Sequence, residues 1–547
     1  MKNKDIIFRA LSLVFLAIVP LYPNIAYALT NSAGFSYIFT GLIFSLPVIA
    51  LMSCIRHKWL YCVLTSIITI LALTDLTMVD LYKDYLLPGG IISTIKTNPQ
   101  EASEFYRTNL GEIFHWIPLI LICVASCIFY KPSLNRKISA YISLALFLIA
   151  PIFVTYKLFG FYKGETTLRY YMDNRVWNRP PYNVPFQCIN AHKSLQRKKQ
   201  WENMKNINMG ATRTIMPDGQ KEIYIFAIGE SLRYDNVSLN KKYHRSTTPR
   251  LEARENNIMI FDNYYSQACL TMYSVPQLVT RATPDNFELN YAERSIIEPF
   301  RECGFKVFTI VNNTNLLSYE TYLSDGVDSL IIVPNVVKDG EIISGDKTMV
   351  HIVDSLAKEH DKLFIMMQFY GNHSFFTNYE KEFEIYNPNS NNCAADMIRD
   401  SMMLINAYDN SILYTDYILS SIIDLIDRPN TVSAFLFVSD HGECIGNGGA
   451  GHGGNCKPIV EEYHVPFIFW WSDSYRELYP EKVSNAQLHK QAKINGDNIY
   501  YTLCDFADIQ LADQYNHPFW SVLSPSFIEH ERLILVPDGV TCIHPDR

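Results

Sequence analysis

Five long apolar runs crowd the first 158 residues of this chain: Ile6–Leu29, Phe35–Ile55, Trp59–Leu81, Phe114–Tyr130 and Ile138–Leu158. Each has the length, or nearly so, of a helix that crosses a bilayer. Residues 1–158 are therefore read as an N-terminal α-helical transmembrane bundle of five helices. The alternative for the first run is a cleaved signal peptide, but the run is long for one and the second follows after a short polar break.

Basic residues orient the bundle. Lys2, Lys4 and Arg9 flank the start, Arg56 and Lys58 separate the second and third runs, and Lys131, Arg136 and Lys137 separate the fourth and fifth. The loops 30–34 and 82–113 are not enriched in Lys and Arg. The positive-inside rule then puts the N-terminus in the cytoplasm and, after five crossings, everything beyond Leu158 outside. Asp75 and Asp80, near the outer end of the third run, are placed to orient a lipid amine or simply to reach water.

Residues 159–220 read as a juxtamembrane linker. It contains Arg179-Pro180-Pro181-Tyr182-Asn183 and a basic run, His192 to Lys205, with Arg197, Lys198 and Lys199 beside Trp201. Such a run suits anionic head groups or a solvated helix equally well.

From Lys221 the pattern changes to short β-rich apolar runs separated by helix-sized polar stretches. The strand candidates are Ile223–Ile228, Ile258–Phe261, Lys306–Val311, Ser329–Val333, Leu363–Phe369, Ser433–Val438 and Pro466–Trp470. This spacing predicts a largely parallel sheet covered on both faces, an α/β domain over 221–547. The net charge of −8, spread over 547 residues, does not point to nucleic acid as a partner. Cys54, Cys62, Cys123 and Cys127 fall in membrane runs as small apolar residues. The other eight lie where disulfides are permitted, and Cys444 and Cys456, which flank a Gly-rich loop, are the expected pair.

Two motifs follow predicted strands. Gly229-Glu230-Ser231 closes the first, and Ser439-Asp440-His441-Gly442-Glu443 closes the sixth. Carboxylates and an imidazole at strand carboxyl ends meet at one edge of a parallel sheet. Glu230, Asp440 and His441 there provide the mixed oxygen and nitrogen donors of a catalytic zinc site. Glu443 reads as a hydrogen-bonding neighbour, and His464 as structural. For a nucleophile, Ser231, Ser266, Thr271 and Ser274 are all candidates on chemistry alone, since spacing does not say which hydroxyl touches the metal.

The combination of "GES" at 229–231, "TMYSVP" at 271–276, "SDHGE" at 439–443, "YHRSTTP" at 243–249, "GNH" at 371–373, His452-Gly453, "HVPF" at 464–467 and "TNPQEA" at 97–102 resembles the membrane-bound phosphoethanolamine transferases of the alkaline phosphatase and sulfatase superfamily. The resemblance extends over nearly the whole chain. It implies a sulfatase-like α/β fold for 221–547 on the periplasmic side, with Thr271 as the nucleophile that carries phosphoethanolamine. It also implies Zn²⁺ held by Glu230, Thr271, Asp440 and His441, with His373 and His452 lining the pocket and Thr97 and Glu101 near the lipid head group. The implied reaction moves phosphoethanolamine from phosphatidylethanolamine to lipid A or another lipopolysaccharide or glycan acceptor. The chain departs from the family pattern at Gln267 and Gln277, where many members have cysteines, at Gln368, where a pocket histidine is usual, at Leu317, near the place of a lysine, and at Ser93, in place of an asparagine. A phosphoglycerol transferase, or another membrane-anchored phosphodiesterase or sulfatase-like hydrolase, is the alternative. A sulfatase would place Cys or Ser in a Cys/Ser-x-Pro-x-Arg setting, which the residues after Thr271 lack.

Overall fold

The computed structural model describes residues 2–30, 34–82, 85–86, 91, 116–131, 136–161, 168–203, 207–312, 320–333, 336–338, 341–373, 376–377, 379–389, 401–446, 449–451, 460–535 and 542–545. They divide into two units, Met1–Arg197 and Lys198–Arg547.

In the first unit, α1 (Lys2–Thr30), α2 (Phe35–Cys54) and α3 (Lys58–Tyr82) are long and apolar enough to cross a membrane. The two other apolar runs form α4 (Trp116–Phe129) and α5 (Arg136–Tyr156), whose qualifying apolar stretches are shorter than a full span. Polar side chains fasten the helices to one another, as expected where apolar surroundings give no hydrophobic drive to pack. Ser12 Oγ lies 2.9 Å from Tyr61 Oη, which lies 2.9 Å from Ser126 Oγ, joining α1, α3 and α4. Part of the segment expected as linker belongs to this unit. Tyr171 and Val176 pack against Ile43 and Phe44 of α2 and Ala150, Val154 and Leu158. Asn183, first residue of α6 (Asn183–Asn203), donates to the buried Asp75 carboxylate at 2.7 Å, and the Leu86 amide donates to it at 3.3 Å. Asp75 thus anchors this segment to α3.

The second unit is built on a seven-stranded sheet: β1 (Lys221–Gly229), β2 (Ile258–Phe261), β3 (Lys306–Val311), β4 (Ser329–Ile332), β5 (Lys362–Gln368), β6 (Thr431–Ser439) and β7 (Phe467–Trp471). Their order is β2-β7-β6-β1-β5-β3-β4, with β7 antiparallel to both neighbours and the other pairings parallel. All seven candidates from the sequence are present. β1 explains why the fold takes this form: its residues alternate between two cores, as a period of two demands. Tyr224, Phe226 and Ile228 join Val275 and Leu278 of α7 (Thr271–Val279) on one face. Ile223, Ile225 and Ala227 join Val353 of α8 (Asp346–Glu359) and Ile412, Ile418 and Ile422 of α9 (Ser401–Ile426) on the other. A strand buried on both faces at the centre of the order puts its carboxyl end in the middle of the sheet edge.

Candidate active site

Register builds the site. β6 and β1 run parallel with Ser439 opposite Gly229, so the next residues, Asp440 and Glu230, emerge side by side. The Asp440 amide donates to the Gly229 carbonyl at 3.0 Å and the Ser231 amide to Asp440 Oδ1 at 3.2 Å. His441 Nε2 lies 3.1 Å from Glu230 Oε1 and 3.6 Å from Asp440 Oδ2. The turn that holds Glu230 needs Ser231 in the left-handed region, at φ 59°, a costly conformation for a residue with a Cβ. Its carbonyl is pinned by Tyr408 Oη from α9 at 2.7 Å. Gly371, at φ +50°, passes so close that a Cβ would meet the Glu230 backbone nitrogen at 3.1 Å. A Cβ on Gly442 would collide with the Glu461 carbonyl, so glycine is required immediately after His441.

Glu230, Asp440 and His441 each bring a ligand atom within 4.8 Å of the others'. Burial, reinforced by the Glu230 charge, pushes the Asp440 carboxyl up to about 7. Burial works against the His441 imidazolium, but Asp440 and Glu230 outweigh it and raise the ring to about 10. The Nδ1 of His441 sits 2.8 Å from the Gly442 carbonyl, which only accepts, so Nδ1–H donates there and Nε2 faces the carboxylates. Asp440 Oδ2 is buried and accepts no hydrogen bond. Two carboxylates, an inward Nε2 and an orphaned carboxylate oxygen fit a divalent cation.

The four hydroxyls separate by burial and reach. Ser231, Ser266 and Ser274 are buried, and the last two donate to the Asp440 carbonyl. Thr271, half-buried at the first position of α7, has its Oγ1 3.2 Å from Glu230 Oε2 and 3.2 Å from His441 Nε2. His373 follows Asn372, whose amide donates to the Glu230 carbonyl, and its ring lies against Tyr370 at 5.0 Å. Thr97, Glu101 and His452 lie outside the described residues, as do Ser93 and Leu317. Gln267, Gln277 and Gln368 are buried. Glu443 is fully buried, and His464 is stacked between Tyr234 and Tyr265 at 4.3 and 5.0 Å. Cys444 is disulfide-bonded, and its expected partner, Cys456, lies outside the described residues. A cavity of about 650 Å³ lined by Tyr479, Lys482, Tyr501 and Asp505 shares no residue with the site.

Sequence reasoning missed Asp346 and Tyr408. Asp346 accepts from the amides of Tyr370 and Gly371, both at 3.0 Å, and from Asn312 Nδ2 at 2.7 Å, fixing the turn that leads to His373. Burial raises its carboxyl even against those donors. Both residues sit in helices without a motif. The Gly345 before Asp346 was the one local hint of a helix start.

A parallel sheet that gathers carboxylates, an imidazole and a helix-terminal hydroxyl at its carboxyl edge defines a class of α/β enzymes suited to metal-assisted transfer at phosphorus or sulfur. Within that class the chain belongs to the sulfatase family, which it matches over residues 222–509. It is similar to phosphoethanolamine transferase EptA of Escherichia coli strain K12, at 24% identity over 439 residues, covering 77% of this chain and 78% of that protein. Among solved structures, the integral membrane lipooligosaccharide phosphoethanolamine transferase A of Neisseria meningitidis shares the fold over 93% of this chain and 98% of its own, with a TM-score of 0.58 and 18% identity. The periplasmic domain of EcEptC from E. coli, solved in complex with Zn, aligns with a TM-score of 0.55 and 22% identity over 62% of this chain and 96% of its own. The resemblance carried by the motifs is borne out.

Proposed function

We propose that this protein transfers phosphoethanolamine from phosphatidylethanolamine to lipid A or another lipopolysaccharide group, through a covalent intermediate on Thr271. One observation carries the reading: the Thr271 hydroxyl, at the amino end of a helix, lies 3.2 Å from both Glu230 Oε2 and His441 Nε2. Similarity to proteins named for phosphoethanolamine transfer supports the group moved, and the lipooligosaccharide in one of those names supports the acceptor class.

Glu230, Asp440, His441 and the Thr271 oxygen would hold Zn²⁺, a donor set that suits it and a metal found with a similar domain. When bound, the ion supplies positive charge that favours the threonine alkoxide and offsets charge on the phosphoryl oxygens. Thr271 Oγ1 attacks phosphorus, and the bond from phosphorus to the diacylglycerol oxygen breaks, diacylglycerol leaving with a proton. An acceptor phosphate or hydroxyl oxygen then attacks the same phosphorus, and the Oγ1–P bond breaks to restore the threonine. The amino end of α7 adds partial positive charge where the oxygens gather. His373 and His452 would contact the phosphoryl group or a second zinc, and Thr97 and Glu101 the head group.

All five apolar segments cross the inner membrane in this proposal, with the N-terminus cytoplasmic and residues 221–547 periplasmic, in keeping with the Lys and Arg placement. The test is acid quenching of the full chain during turnover of phosphatidylethanolamine, followed by peptide mass spectrometry. Phosphoethanolamine on Thr271 is expected. Labelling from phosphatidylglycerol instead, or at another residue, would overturn the proposal.

A further inference from the structure

A guanidinium buried among apolar helices is costly unless something answers its charge. The helical unit buries two arginines, each 9% exposed. Arg9 is answered. Its Nη2 donates to the carbonyls of Met52 and Ser53 at 3.0 and 2.9 Å, at the carboxyl end of α2, where a helix presents negative charge.

Arg179 sits at the opposite end of the same helix. Its Nη1 donates to Thr40 Oγ1 at 2.6 Å, and its guanidinium lies 3.8 Å from the Tyr37 ring centroid, both partners in the first two turns of α2. Among the described residues its Nε and Nη2 have no acceptor and no carboxylate pairs with it. Asp75, the buried carboxylate of α3, is held by Asn183 and Leu86. The helix end makes the deficit larger. α2 starts at Gly34 without a side-chain cap, so its amino terminus adds further positive charge.

Two positive features with no counter-charge among the described residues call for an anion, and the surroundings select its kind. Phe35 and Phe39, one turn apart on α2, are exposed, as is Leu29 at the end of α1. Tyr27 stacks on Tyr37 and Tyr85 at 5.0 and 4.7 Å, a rigid aromatic wall of the type found at membrane interfaces. An anion seat bordered by exposed apolar side chains suits an amphiphile with an anionic head. We infer that Arg179, with Thr40 and the first turn of α2, seats the phosphodiester of a membrane phospholipid. The inference rests on the proposed function for the identity of that lipid, the phosphatidylethanolamine donor.

The test uses the full chain in mild detergent with Thr271→Ala throughout, so that no lipid is consumed. Native mass spectrometry follows retention of phosphatidylethanolamine. Arg179→Gln should weaken retention roughly ten- to a hundredfold, the worth of a charge-assisted hydrogen bond. Arg179→Lys should fall between, since an ammonium keeps the charge but not the planar fork. Thr40→Val, a milder change that keeps the helix, should weaken it severalfold and keeps the inference testable if Arg179→Gln fails to fold. Diacylglycerol, which lacks the phosphate, should bind parent and variants alike. Equal retention of phosphatidylethanolamine by all four proteins overturns the site. Displacement of the lipid by millimolar inorganic phosphate overturns its assignment to a lipid. Because retention is read without turnover, its failure leaves the transferase proposal standing, and absence of phosphoethanolamine on Thr271 of the unsubstituted chain leaves retention standing.

Discussion

The helical unit turns large apolar side chains outward, with Leu29 and Phe35 each 78% exposed, whereas the sheet unit leaves Tyr224, Phe226 and Trp470 wholly enclosed. Their interiors differ in the same sense. Inside the helices, hydroxyls, amides and one carboxylate tie segments together, as in Ser12–Tyr61–Ser126 and Asp75–Asn183. Inside the sheet unit, apolar packing supplies the cohesion, and the polar groups at the strand ends are placed for chemistry. The lesson is that surroundings decide which interaction specifies a fold. Against hydrocarbon, apolar contact discriminates little and hydrogen bonds choose the partner helix. Against water, apolar burial dominates.

That contrast can be broken experimentally. If chemistry resides in the sheet unit alone, Thr271→Ala should lower transfer roughly 10³-fold or more, since a covalent path is removed. Metal content and thermal unfolding should stay near the parent's, because Glu230, Asp440 and His441 remain, and Thr271→Ser should keep partial activity. Transfer at the parental rate would take the role of nucleophile from Thr271 and pass it to another group.

Phenylalanine in the two units should then behave oppositely. Phe226→Ala, in the enclosed core, should cost about 3–5 kcal/mol. Phe159→Ala, at a site 75% exposed, should stay within about 0.5 kcal/mol. Urea unfolding in detergent measures both, and comparable losses would mean that the helical unit also depends on apolar packing there.

A third difference is sensitivity to pH. Burial pushes Asp416 up to about 7, although the amides of Arg250 and Leu251 donate to it at 3.0 and 2.9 Å. A folded value above the unfolded one, about 3.9, means that the fold prefers the protonated carboxyl. Its contribution is therefore complete below about pH 4 and is lost as pH rises through about 7, by at most about 1.4 kcal/mol per pH unit. The stability of the parent relative to Asp416→Asn should fall over that window and level off above it. A constant difference between pH 4 and 8 would count against this.

The smallest effect concerns Gln267, buried at 1% exposure with neither amide atom hydrogen-bonded. Gln267→Met keeps the volume and removes an orphaned amide, so it should raise stability by about 1 kcal/mol. A lower melting temperature would instead reveal a bound water satisfying that amide.

The strands were legible because each is a short apolar run, buried in all but the edge strand β4, and Glu230, Asp440 and His441 were legible because they follow such runs directly. The choice of hydroxyl was not. Thr271 and Ser274 share one helix, and only the fold shows that Ser274 is buried against the Asp440 carbonyl while Thr271 reaches Glu230 and His441. Asp346 and Tyr408 escaped notice because they act on the site from helices far away in sequence. The segment around Tyr171–Trp177 looked like linker because it forms a four-residue helix and a π-turn, which carry no readable periodicity.

The pairing of β1 with β6 also sets a schedule for synthesis. The Ser231 amide and Asp440 Oδ1 meet although 209 positions separate them. A ribosome must therefore deliver all five long N-terminal apolar runs and most of the sheet before Asp440 exists. Joining points so distant in sequence is slow and comes late. A nascent chain stopped before Thr431 would carry Thr271 and Glu230 but neither Asp440 nor His441. Thr271 thus gains its full set of neighbours only when about the last fifth of the polypeptide, from Thr431 onward, threads into the centre of the sheet.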